Sequence, residues 1–107
     1  MASTKRSDGN SVDVVIGAAA THGEPAYAQG WHGVAQTDGV SGDTIALDLI
    51  GEYELNVGAL AAAKGDILYL TTAGALSVTT TDRPFAKVTV AKDANDIVWA
   101  KLLPQTA

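Results

Sequence analysis

Cysteine is absent from this 107-residue chain, which removes disulfides, thiolate metal ligands and cysteine nucleophiles together and leaves the redox compartment undecided. Aromatic residues make up only 6% against 47% hydrophobic overall. The core must therefore be built mainly from Val, Leu, Ile and Ala, with the modest margin of stability of a single small domain. Basic residues are few: Lys and Arg number 7 against 12 Asp and Glu, a net charge of -5. Phosphate contacts need clustered Lys and Arg, so a nucleic-acid partner is excluded. Long apolar runs are missing as well. No stretch approaches the roughly 20 residues of a membrane span, so no membrane partner is expected. The segment VVIGAAA at 14–20 follows a basic start, but it is short for a signal core and Asp8 and Asp13 interrupt its flank. A secretory signal is rejected on those grounds.

Motifs for chemistry are equally sparse. There is no GxSxG elbow and neither histidine has a triad context. Ala63-Lys64-Gly65-Asp66 lacks the GxxxxGK and following Ser or Thr of a phosphate loop. His22 and Glu24 form an HxE pair with His32 ten residues on from His22. A metal site needs three or four converging ligands, and a glycine-rich loop does not supply them. Asp93, Asn95 and Asp96 have the wrong spacing for a calcium loop and read as a hairpin turn. We expect no catalytic residue, no cofactor, no metal and no small-molecule substrate.

What is present is strand periodicity, clearest over residues 43–57. Ile45, Leu47, Leu49, Tyr53, Leu55 and Val57 share one face, while Thr44, Ala46, Asp48, Glu52, Glu54 and Asn56 share the other. The phase survives Gly51, so this is one long strand kinked there or two strands meeting at a tight corner. Further strands are expected at 12–16, 26–28, 34–36, 67–70, 75–78, 85–91 and 97–103. Residues 30–33 read as a tight connection, and Ala86, Val88 and Val90 are placed on one face with Lys87 and Thr89 on the other. Residues 58–64, GALAAAK, are the one stretch rich in helix formers, with Gly65 at the C-terminal cap position. The fold class is all-β: a small sandwich or barrel-like domain over 12–107 with one short helix.

Residues 1–11 stand apart. Lys5 and Arg6 against Asp8 give residues 1–10 a net +1, leaving -6 for the rest of the -5 total. This polar start has nothing to bury and is expected to be a flexible arm. Segments 67–70 and 97–103 are apolar on both faces, which suits either cover by a second sheet or burial against another subunit. For the latter, the contact is expected near Tyr69, Trp99 and Leu102.

The order GEPAYAQGWHGVAQTD at 23–38, SGDTIALDLIGEYEL at 41–55, an Ala-rich turn ending in KGDILYL at 70, and TTAGALSV at 71–78 resembles the small head-decoration, or capsid cement, proteins of tailed bacteriophages. The likeness covers residues 12–103, and its most specific parts are Gly33-Val34-Ala35, Gly51 before an acidic and aromatic strand, and Gly65-Asp66 before 67–70. It implies a non-enzymatic virion protein, made in the host cytoplasm. Such a protein forms a homotrimer on the outer surface of the expanded head and clamps neighbouring subunits of the major capsid protein. The resemblance also implies a capsid-binding arm, here Ser3, Thr4, Lys5, Arg6 and Ser7, that adds to capsid strands. Two other classes are weighed against it. A biotinyl or lipoyl carrier needs a modified lysine at a hairpin tip, and the tips here read TTAG and KDAND. A small β-barrel ligand-binding or hydrolytic accessory domain would need a pocket lined by Glu24, Trp31 and His32.

Overall fold

The computed structural model describes residues 9–105. Within them nine strands form two antiparallel sheets, one of them curled into a half-barrel. The chain begins with β1 (Ser11–Val15), β2 (Pro25–Ala28), β3 (Trp31–Ala35) and β4 (Thr44–Asp48). These make a four-stranded sheet in the order β1-β4-β3-β2. After a corner come β5 (Glu52–Asn56), β6 (Ile67–Leu70), β7 (Leu76–Ser77), β8 (Arg83–Val90) and β9 (Ile97–Leu102). They make a five-stranded sheet ordered β5-β9-β8-β6-β7. The all-β class expected from the periodicity is what the chain adopts.

The alternating segment at 43–57 is therefore two strands in two sheets. Ile45 and Leu47 point into the first sheet's core, and Leu55 and Val57 into the second's. Gly51 turns the chain at φ 117°, a conformation that a Cβ disfavours, and a side chain there would also stand 3.3 Å from the Tyr53 ring. Across the corner, the Tyr53 hydroxyl donates to Asp48 Oδ2 at 2.8 Å, while Asp48 Oδ1 accepts from Gln36 Nε2. One carboxylate thus ties the end of β4 to the start of β5. Burial, then the bond to Asp48 and its charge, push the Tyr53 phenol up to about 12.

Two clusters fill the interior. The larger gathers Leu55, Leu68, Leu70, Phe85, Val88, Val98 and Leu102 beneath the five-stranded sheet, and the smaller gathers Val14, Ile16, Ile45 and Leu47 against the other. Strand β3 is the wall between them, since Val34 faces the larger cluster and Ala35 the smaller. Fully burying each of these aliphatic or aromatic side chains contributes about 1.5–3 kcal/mol. Their sum, rather than any hydrogen bond, holds the sheets together.

Three expectations are corrected. Residues 58–64 form no helix. Gly58 sits at φ 56°, and Lys92 Nζ donates to the carbonyls of Gly58 and Leu60 at 3.1 and 3.0 Å. Those carbonyls are then held by a distant cation, so helix propensity is overridden by a long-range contact. Residues 31–33 belong to a strand, not a connection. The turn is Gln29-Gly30 at φ 52° and 84°, a two-residue hairpin of the type whose twist matches the flanking strands. Val90 leaves the face of Ala86 and Val88, because the β8–β9 register shifts between Val88 and Val90 and a bulge reverses the side-chain phase. Upstream, Ser11 already pairs with Asp48 and the Asn10 carbonyl accepts from the Leu49 amide at 2.9 Å. The sheet therefore begins slightly before residue 12.

Candidate interaction surface

The residues considered for chemistry do not converge. His22 is exposed, and its amide donates to Asp38 Oδ1 at 2.8 Å. Glu24 lines shallow clefts beside Pro25, and Trp31 lies on the surface with 39% exposure. His32, the next residue along β3, points the opposite way into the core. Among the described residues, no three His, Cys, Asp or Glu side chains are grouped to hold a metal. Asp93 serves its turn: Oδ1 accepts from the amides of Asn95 and Ile97 at 2.8 and 3.1 Å.

His32 is nonetheless unusual. It is 1% exposed, its ring meets Phe85 edge to face with centroids 5.5 Å apart, and neither ring nitrogen makes a well-formed hydrogen bond, the Leu103 backbone giving only weak support. Burial holds the imidazole below its ordinary range, the Leu103 backbone opposes that, and the positive charge of Arg83 adds to it. The His32 backbone is better served. Its amide donates to Gln105 Oε1 at 2.9 Å and its carbonyl accepts from Gln105 Nε2 at 2.8 Å. A side-chain amide thus pairs with β3 beyond the point where β4 turns toward the other sheet. Nearby, the Arg83 guanidinium stacks 4.6 Å over the Tyr27 ring and donates to the Gly30 carbonyl at 3.2 Å, bracing β8 against the β2–β3 hairpin.

The outward face of the five-stranded sheet is a different kind of surface. Register sets Glu54, Trp99 and Val90 in one row, and Glu52, Lys101, Lys87 and Ile67 in the next. Trp99, Val90 and Ile67 are 44%, 48% and 39% exposed. Three large apolar side chains on one face of a sheet, bordered by charges, have the composition of a contact patch. Of the residues expected at a subunit contact, Trp99 lies at the middle of this face and Tyr69 on β6 is half-buried. Leu102 points inward to the larger cluster with 6% exposure. The arm residues Ser3, Thr4, Lys5, Arg6 and Ser7 lie outside the described residues. Alternation in the sequence sets Lys87 on the face opposite Ala86 and Val88. That Lys101 stands opposite it depends on strand pairing, which local spacing does not reveal.

A family model described as phage cement protein matches residues 6–102, nearly the whole chain and every strand of both sheets. The chain belongs to the phage cement protein family. No curated protein and no solved structure matches it. The cement protein is thus a structural component of the phage virion that stabilises the capsid, in a family of structural proteins rather than enzymes. Its exposed tryptophan, valine and isoleucine on a sheet face accord with a protein whose work is done by contact.

Proposed function

We propose that the cement protein binds the outer surface of the expanded head as a homotrimer, bridging neighbouring subunits of the major capsid protein, and that it is made in the host cytoplasm. The family match over residues 6–102 carries this reading. The apolar face around Trp99, with Tyr69 at its margin, supplies the contact between copies, because a large aromatic among exposed aliphatics is the usual anchor of such an interface. Leu102 supports that face from beneath, as part of the core under β9. Ser3 to Ser7 extend a capsid strand by main-chain hydrogen bonds, which supply the affinity without demanding particular side chains. Lys5 and Arg6 add attraction to acidic capsid groups that salt screens.

The test is decoration of purified expanded heads assembled without this protein, together with native mass spectrometry of the free chain. Saturable binding and a threefold mass support the reading. A protein that stays monomeric both in solution and on the head refutes the trimer, and one that ignores the heads refutes the capsid role.

A further inference from the structure

Five described cations are spread along the sequence, and two are tied into the fold. Lys92 holds the carbonyls of Gly58 and Leu60 and lies 3.7 Å from Asp96. Arg83 is bound to Tyr27 and Gly30. The other three, Lys64, Lys87 and Lys101, all border one groove, whose apolar lining includes Ile50, Leu103 and Pro104 and which no acidic residue lines. Ile50 is 56% exposed. Among the described residues none of these three lysines makes an ion pair.

Their placement is costly to the isolated fold. Lys87 and Lys101 are direct partners across the β8–β9 ladder, on the same face, and like charges set directly opposite destabilise a sheet. Glu52, across from Lys101 on β5 with its carboxylate accepting from Thr89 Oγ1, offsets part of this repulsion from outside the groove's lining. The pair also divides the outward face. Trp99 and Val90 lie on one side of it, and the groove of Ile50, Leu103 and Pro104 on the other. In a chain of net charge -5 this groove is a local positive site on a negative body. Complementary potential favours an anionic occupant here and repels it elsewhere, which fixes orientation as well as place. The basic arm has the wrong sign to fill it. Two copies paired groove to groove would set lysine against lysine, and the copy-to-copy contact of the proposed trimer is assigned to the face around Trp99 instead.

We propose that this groove is a docking site for an acidic polypeptide segment of the capsid shell, an apolar side chain seated against Ile50 and Leu103 and its flanking carboxylates held by Lys64, Lys87 and Lys101. The proposal rests on the capsid-binding reading and assigns it a second contact, separate from the arm. The test uses purified expanded heads lacking this protein, and compares the intact chain with a Lys64→Gln, Lys87→Gln, Lys101→Gln triple variant. The variant is expected to keep the intact chain's far-UV spectrum and oligomeric state, to bind heads roughly ten-fold or more weakly, and to show a flatter salt dependence. Carbodiimide treatment of the intact complex, which condenses a lysine amine with a carboxylate to an amide, is expected to join Lys87 or Lys101 to an Asp or Glu of the shell protein. If the intact chain does not bind heads, the capsid reading falls and takes this one with it. Intact and variant chains binding equally leave the capsid reading standing and overturn the groove. A variant with altered oligomeric state, or crosslinks only between copies, assigns the groove to a second copy and likewise overturns the proposal.

Discussion

At the scale of single residues, His32 and Gly33 show opposite ways in which β3 is constrained. Both ring nitrogens of His32 are buried without a well-formed hydrogen bond, a desolvation cost of up to about 1–3 kcal/mol that the Leu103 backbone only partly offsets, whereas an apolar side chain of similar shape leaves nothing unsatisfied. His32→Leu is therefore expected to be neutral or stabilising near pH 8. The sign of the pH effect follows from linkage. Burial lowers the folded pKa beneath its ordinary 6.5, so the unfolded chain binds the proton more readily. The stability associated with the neutral ring is complete above about pH 6.5 and is lost as pH falls from there toward the folded pKa. Melting temperatures at pH 7.5 and 5.5 should fall further for the intact chain than for His32→Leu; equal falls would mean that carboxylates alone set the acid response. Gly33 is limited by space. A Cβ there would lie 2.4 Å from the Asp48 carbonyl oxygen, and a backbone atom cannot swing aside. Gly33→Ala should cost roughly 1–3 kcal/mol or more, read as a lower urea midpoint with unchanged slope.

Among the elements, β4 and β5 were the most legible in the sequence. Leu47 and Leu55 could be assigned inward from alternation alone, because a period of two is a local signal that burial on one face enforces. The corner at Gly51 was legible as one of two alternatives. Residues 58–64 were not, since their alanines favour helix locally while the deciding partner, Lys92, lies on the far side of β8. Trp31 to Gly33 were obscured by their flanking glycines, and the outward turn of Val90 by a bulge that no composition announces. Of the candidate surface, Trp99 and Tyr69 were visible as surplus apolar residues, but the Lys87–Lys101 pair needed the strand register. The Lys92 clamp yields a prediction at this scale. Lys92→Met keeps the stem and removes the donors, so amides in 58–66 should exchange with solvent faster by about an order of magnitude while β8 and β9 remain protected. Unchanged exchange would mean that the Val57 and Asp66 turns hold the segment without help.

For the whole molecule, the proposed trimer brings together three arms and three grooves, and once one engages the shell the others bind at high effective concentration. Deleting residues 2–8, which leaves Asn10 and Ser11 to complete the β1–β4 edge, should preserve folding and oligomeric state. Occupancy of expanded heads should fall by roughly ten-fold or more, since losing one contact from each copy is compounded across the assembly. Undiminished decoration would leave the body of the domain carrying all the binding. The order of strands in the larger sheet has a consequence of another kind. Strand β9 lies between β5 and β8, so a strand made after both of its neighbours is inserted between them, and β5 at 52–56 waits for residues 97–102 before it has any neighbour in its sheet. Pairings so distant along the chain make folding slow, on a scale of milliseconds to seconds. Until residues 97–102 have emerged from the ribosome, the β5 and β8 edges that β9 fills stand open in the nascent chain, ready to capture each other in a neighbouring copy.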